Sequence, residues 1–229
     1  MPHKRSWRTD AQRIRDFLGA WRNRRLSDLT APDVARMHAD VAHRSGQVSA
    51  NRVLTLFRAI VRKARDEWHV MSAGPLPSDG IKPYNEKSRE RFLKTDEARR
   101  VLLAIEAEPN VYWRAYFRLA LILGTRRNEL LAVRWADVDV EAERLTLIET
   151  KTGEPRGVPL PEAALSILAE LPRESEFVFP GIGASGHLVE PKKAWRRICA
   201  TARVNGVTVH DLRRTLGSWI DPPPLRWTA

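Results

Sequence analysis

Apolar residues recur every three or four positions through most of the first seventy residues, the period of helices with one buried face. Ile14, Phe17, Leu18 and Trp21 follow this spacing behind Thr9 or Asp10, either of which can cap a helix. The run TAPD then announces a second helix, with Thr30 as cap, Pro32 in the first turn, and Val34, Met37, His38 and Val41 on one face. His38 reads as a core or boundary histidine. A third helix, 50–68, puts Val53, Leu54, Phe57, Ile60, Val61 and Ala64 inward and Arg52, Arg58, Arg62, Lys63 and Arg65 outward. The period disappears over 71–91, a stretch with three prolines and two glycines that reads as a linker. Beyond it, Thr95 caps a helix to Glu106, and Pro109 or Asn110 opens one carrying Tyr112, Trp113, Tyr116, Phe117 and Leu121 toward a core. Alternation at Leu145, Leu147, Val158 and Leu160 predicts a half-buried hairpin over 144–160. Short helices over 161–171 and 191–203, the latter with Trp195 and Ile198 inward, flank an extended piece at 177–180.

The pattern is that of a chain with real cores, and the charge says what it meets. Lys and Arg number 39 against 28 Asp and Glu, and residues 1–70 hold 15 against 7, so most of the excess lies early. Such a balance predicts salt-sensitive attraction to polyanions, although arginine-rich composition also serves solubility. The single cysteine, Cys199, excludes an intrachain disulfide and a cysteine zinc cluster, and reads as packed between Ile198 and Ala200. No apolar signal region opens the chain and no run approaches about 18 apolar residues, so the expected location is cytoplasmic, with no membrane partner.

Chemistry concentrates in two places. In LILGTRRNELLAVRW, residues 121–135, an apolar run meets Gly124, turns, and presents Arg126 at the start of a second amphipathic segment, where a helix dipole favours an anion. Alone, that also fits a solvated helix start. A second stretch, VTVHDLRRT at 207–215, sets His210 and Arg213 three apart on one helical face. Between them the turn of the hairpin carries Lys151. Three cationic sites therefore converge on one phosphate. Attack on a phosphodiester loads its non-bridging oxygens with charge, and fixed guanidinium forks there are worth about 10²- to 10³-fold each. Arg126 and Arg213 fit that need, His210 can donate a hydrogen bond or move a proton, and Glu129, three residues after Arg126, can orient it. Asp211 reads as a cap for the helix of Arg213, and Arg127 and Arg214, the second of each pair, as surface residues or contacts to a phosphate backbone. Neither a metal nor a cofactor is implied, since the arginines supply the electrostatics, and no small-molecule substrate is expected.

In order and spacing, GTRRNELLAVRWADVD, the turn lysine and HDLRRT resemble the tyrosine recombinases, the phage-type integrases that cut and rejoin DNA, over about Phe92 to Trp219. The resemblance implies a mainly α fold with a small β-sheet: a helical core-binding domain over 1–70, a linker over 71–91, and an α+β catalytic domain over 92–220. It implies Arg126, Lys151, His210 and Arg213 as catalytic residues, Lys151 protonating the leaving 5′ oxygen, and Arg52, Arg58, Arg62, Lys63 and Arg65 on phosphates of double-stranded DNA. The implied reaction passes through a 3′-phosphotyrosine, with further recombinase subunits as partners.

The chain departs from that family after Ile220. A box like LGH and then a tyrosine nucleophile are expected, but the sequence reads DPPPLRWTA from Asp221, an unmatched tail whose three prolines forbid a helix. The tyrosines, Tyr84, Tyr112 and Tyr116, all precede Arg126. The expectation is a C-terminally truncated catalytic domain without a nucleophile, binding DNA without covalent capture. A DNA-binding regulator and a nonfunctional mobile-element remnant stay open beside an inactive recombinase.

Overall fold

The chain divides into two compact units, Met1–Arg89 and Glu90–Ala229. The computed structural model describes residues 6–88, 90–148 and 154–220.

In the first unit, α1 (Trp7–Phe17) leads through single turns at Gly19–Trp21 and Leu26–Asp28 into α2 (Ala31–Ser45) and α3 (Gln47–Asp66). Thr30 opens α2 with a reciprocal cap: its hydroxyl accepts from the Asp33 amide, and the Asp33 carboxylate accepts from the Thr30 amide at 3.1 Å. Val34, Met37 and Val41 of α2 close on Ala50, Val53, Leu54, Phe57 and Val61 of α3, and Trp21 stands edge-on to Phe57 with centroids 5.4 Å apart. Each of these Val, Leu, Met and Phe side chains, once buried, contributes about 1.5–3 kcal/mol against exposure.

Three details differ from the sequence pattern. The third helix starts at Gln47 because Gly46, at φ +84°, reverses the chain in one residue. Thr9 and Asp10 lie within the first turn of α1 rather than before it, and Asp10 meets Arg13 at 3.2 Å. Ile14 is 40% exposed, since α1 ends at Phe17 and the following turn takes Leu18 and Trp21 off its period.

Residues 71–88, where no period is visible, run as an irregular strap against these helices. Leu76 is buried in their core, and Met71, Ile81 and Tyr84 pack on it. Asn51, on α3 and almost fully buried, holds the strap. Its Oδ1 accepts the Tyr84 amide at 2.8 Å and its Nδ2 donates to the Tyr84 carbonyl and the Glu86 carboxylate, each at 2.8 Å. Buried His38 meets the same Oδ1 through Nε2 at 3.1 Å and stacks on the Tyr84 ring.

In the second unit, α5 (Val111–Leu123) is the central helix, packed by α4 (Thr95–Glu106), α6 (Arg127–Leu131), α7 (Glu162–Ala169) and α9 (Val209–Ile220), while α8 (Lys192–Ala202) lies on α4. The residue before α4 is Lys94 rather than Thr95, and Glu97 accepts its amide at 3.0 Å. Asn110 caps α5 through the Trp113 amide. Tyr116 and Phe117 are fully buried against Phe179 and Trp195. An antiparallel sheet, ordered β1 (Val138–Asp139), β2 (Arg144–Leu147), β3 (Arg156–Pro159), pairs Leu145 with Val158 and Leu147 with Arg156. Its inward residues Leu145, Leu147 and Val158 join the core, as alternation requires. Cys199 is half-buried, and that burial pushes its thiol up to about 11, so it packs rather than reacts.

Candidate phosphate-binding site

The site is built at the end of α5. Gly124 takes the left-handed conformation at φ +54°, and its amide closes the helix on the Ala120 carbonyl. That turn delivers Arg126 to the residue before α6. The Arg126 amide reaches Glu129 Oε2 at 3.4 Å while its Nη1 donates to Glu129 Oε1 at 2.7 Å. Glu129 is buried, with 3% of its side chain exposed, whereas Arg126 keeps 44%. Burial alone would push this carboxyl up, but the hydrogen bonds from Arg126 and the charges of Arg126 and Arg156 prevail and hold it below its usual value.

A second wall comes from α9. Thr208 precedes it, and both its amide and hydroxyl donate to Asp211 Oδ2 at 2.8 Å. Asp211, with no exposed surface, therefore closes the cap from inside the first turn, and Arg214 donates to its other oxygen at 3.2 Å. Arg214, read from the sequence as a surface or DNA-backbone residue, is tied to that carboxylate. One turn on, the Thr215 hydroxyl accepts the Leu93 amide and donates to the Asp211 carbonyl, fastening α9 at its middle. This scaffold presents His210 outward and leaves Arg213 half-buried. Arg213 Nη1 is sealed from solvent and has no hydrogen-bond partner among the described residues.

The two walls are adjacent. Gly124 lies so close to Leu216 of α9 that an added Cβ would stand 2.6 Å from Leu216 Cδ2. Arg127, next to Arg126, and His210 line one cavity of about 490 Å³, together with Lys192, Arg196 and the edge of Trp195. The structure thus brings together the Arg126 turn and the His210–Arg213 helix. Lys151 lies outside the described residues, between β2 and β3. Arg156, just past that segment, was not singled out by any sequence motif; its Nη2 donates to Glu129 Oε2 at 3.3 Å. Only its place in the sequence, shortly after Lys151, could have flagged it.

Tyr116 is fully buried, its hydroxyl unpartnered among the described residues and its pKa driven up by burial. Tyr112 is half-buried and raised for the same reason, and Tyr84 belongs to the strap of the first unit. On α3 the cations are unequally committed. Arg52 meets Glu86 at 3.0 Å, Arg58 donates to the carbonyls of Ser78 and Ile81, and Arg65 pairs with Asp66 and reaches Gly74 O at 3.2 Å. Lys63 pairs with Glu67 at 2.5 Å, and Arg62 is exposed. Among the described residues no cluster of three or more His, Cys, Asp or Glu forms a metal site, and no helix is long and apolar enough to cross a membrane.

Comparison with known proteins identifies the family and the fold. The sequence model of the phage integrase family matches residues 91–220, more than half of the chain. A shufflon-specific DNA recombinase of Escherichia coli is 31% identical over 198 residues, covering 83% of this chain and 50% of that protein. The prophage integrase IntF of E. coli K12 is 26% identical over 224 residues, covering 90% and 47%. The chain therefore spans about half the length of these relatives. Among solved structures, the Tn1549 transposon integrase in complex with a circular intermediate DNA superposes with a TM-score of 0.78 at 12% identity, covering 95% of this chain and 81% of that one. A lambda integrase tetramer bound to a Holliday junction gives 0.74 at 17% identity, covering 98% and 69%. At those identities the likeness is one of fold.

Proposed function

Because this chain belongs to the phage integrase family, we propose that it acts in site-specific DNA recombination by binding duplex DNA and gripping one backbone phosphate between Arg126 and Arg213. The observation that carries this reading is Arg213 Nη1, sealed from water with no acceptor among the described residues. A buried donor without a partner is costly, and a guanidinium more so. A phosphate oxygen admitted by a shift of the side chains that cover Nη1 removes that cost and accepts from the Arg126 fork as well. His210, exposed at the rim of the adjoining cavity, donates to the same phosphate.

The chain's own tyrosines do not attack in this reading, since Tyr116 is buried in the core and Tyr112 half-buried beside it. The bound phosphate is held without a covalent bond to Tyr84, Tyr112 or Tyr116. On α3, Arg62 and Lys63 are placed for backbone contacts, while Arg58 and Arg65 spend their donors on the strap. Further recombinase subunits assemble on the same DNA.

Two measurements test this. Fluorescence anisotropy with duplex DNA should show Arg213→Gln binding about tenfold more weakly, the scale of a charge-assisted hydrogen bond, and unchanged affinity would refute the grip. Mass spectrometry after denaturing the complex should find free protein only. A DNA adduct on any of the three tyrosines would refute the non-covalent reading.

A further inference from the structure

We propose that Arg156 is a positioning residue that balances the charge of Glu129, so that the positive charge of Arg126 stays available to the bound phosphate. This rests on the phosphate-binding reading of the site and deepens it. One carboxylate cancels one guanidinium. If Glu129 faced Arg126 alone, the pair would be neutral and its pull on a phosphate correspondingly weak. The Glu129 carboxylate instead divides its oxygens: Oε1 takes Arg126 at 2.7 Å, and Oε2 takes Arg156 at 3.3 Å. Two cations share one anion and leave one net positive charge. The carboxylate is almost fully enclosed, whereas both guanidiniums keep nearly half their surface, 44% and 46%, open to a ligand.

The fold fixes Arg156 in that role. It opens β3 opposite Leu147, which anchors the strand in the core with 1% exposure. The Arg144 guanidinium of β2 lies against the next residue, Gly157, where a Cβ would displace that flexible side-chain end. Strand, register and side chain therefore aim Arg156 at Glu129. The same contact ties β3 to the Arg126 turn.

The experiment is a calorimetric titration of the full chain with inorganic phosphate at low ionic strength. Arg156→Gln should weaken phosphate binding about tenfold, the effect of one charge a few ångströms away in a partly solvated site. Arg156→Lys should hold most of the affinity. The double variant Glu129→Gln with Arg156→Gln should recover most of the loss, because its net charge is again that of the intact triad. A direct phosphate contact or a purely structural role for Arg156 gives no recovery, and either that result or an unaffected Arg156→Gln overturns the proposal. If Arg213→Gln leaves phosphate binding intact, the site reading itself fails. The carboxyl ¹³C titration of Glu129 then judges Arg156 separately: an upward shift in Arg156→Gln supports the balance, and an unmoved midpoint overturns it.

Discussion

Replacing Gly124 by alanine strikes the contact that sets the two arginine-bearing segments side by side. Two effects add. Gly124 is left-handed at φ +54°, where an L residue costs about 1–2 kcal/mol. The new methyl also stands 2.6 Å from Leu216 Cδ2, far inside contact distance, while Leu216 Cβ at 3.8 Å is at ordinary spacing. Only the tip of Leu216 has to move, and an off-rotamer leucine costs about 0.5–1.5 kcal/mol. Alanine stiffens the unfolded chain and returns roughly 0.5 kcal/mol. The net is a destabilisation of about 2 kcal/mol, which for a unit of this size lowers its melting temperature by roughly 6–10 °C. Calorimetry on the full chain reads that shift in the transition of the second unit. Leu216→Ala removes the offending atoms, so Gly124→Ala made in that background should cost about 1 kcal/mol less. An equal cost in both backgrounds refutes the packing argument, and no cost in either refutes the backbone argument too. Gly124→Ala should also weaken phosphate binding, because Leu216 lies three residues past Arg213 and Gly124 two before Arg126.

Three other perturbations follow from the same bonds. Asp211→Ala removes a fully buried acceptor of the Thr208 amide and hydroxyl and strands Arg214, so urea unfolding should show a loss of about 3 kcal/mol or more. Arg91 binds Glu97 through two bonds, at 2.8 and 2.6 Å, and these first of all lower that carboxyl to about 2 from 4.5. Its stabilisation is complete above about pH 4.5 and disappears as pH falls toward 2. Discounted for partial exposure it is about 1 kcal/mol, and an Arg91→Gln variant should show a correspondingly flatter stability profile over that window. Asn51→Ala leaves the Tyr84 amide without its acceptor, and limited proteolysis should cut more readily within 71–88.

How far the sequence reached depends on what kind of interaction shapes each part. Burial faces were legible because a helix repeats them, as Val34, Met37 and Val41 do against Val53, Leu54 and Phe57. Glu129 was legible for the same reason, lying one turn from Arg126. The strap was not, because Leu76, Ile81 and Tyr84 follow no period, and the bonds from Asn51 reach Tyr84 across more than thirty residues of sequence. Arg156 was missed because its partner lies 27 residues back on another element. The α3 cations show the limit of charge patterning, which marks Arg58 and Arg62 alike although the strap carbonyls engage only Arg58.

The strap also decides where the protein can be divided. A fragment ending at residue 70 keeps all three helices yet loses Leu76 from their core and frees the donors of Asn51 and Arg58. One ending at residue 88 carries its own lid. Anyone isolating the helical half, or grafting it onto another protein, should treat the eighteen residues at 71–88 as its fourth structural element.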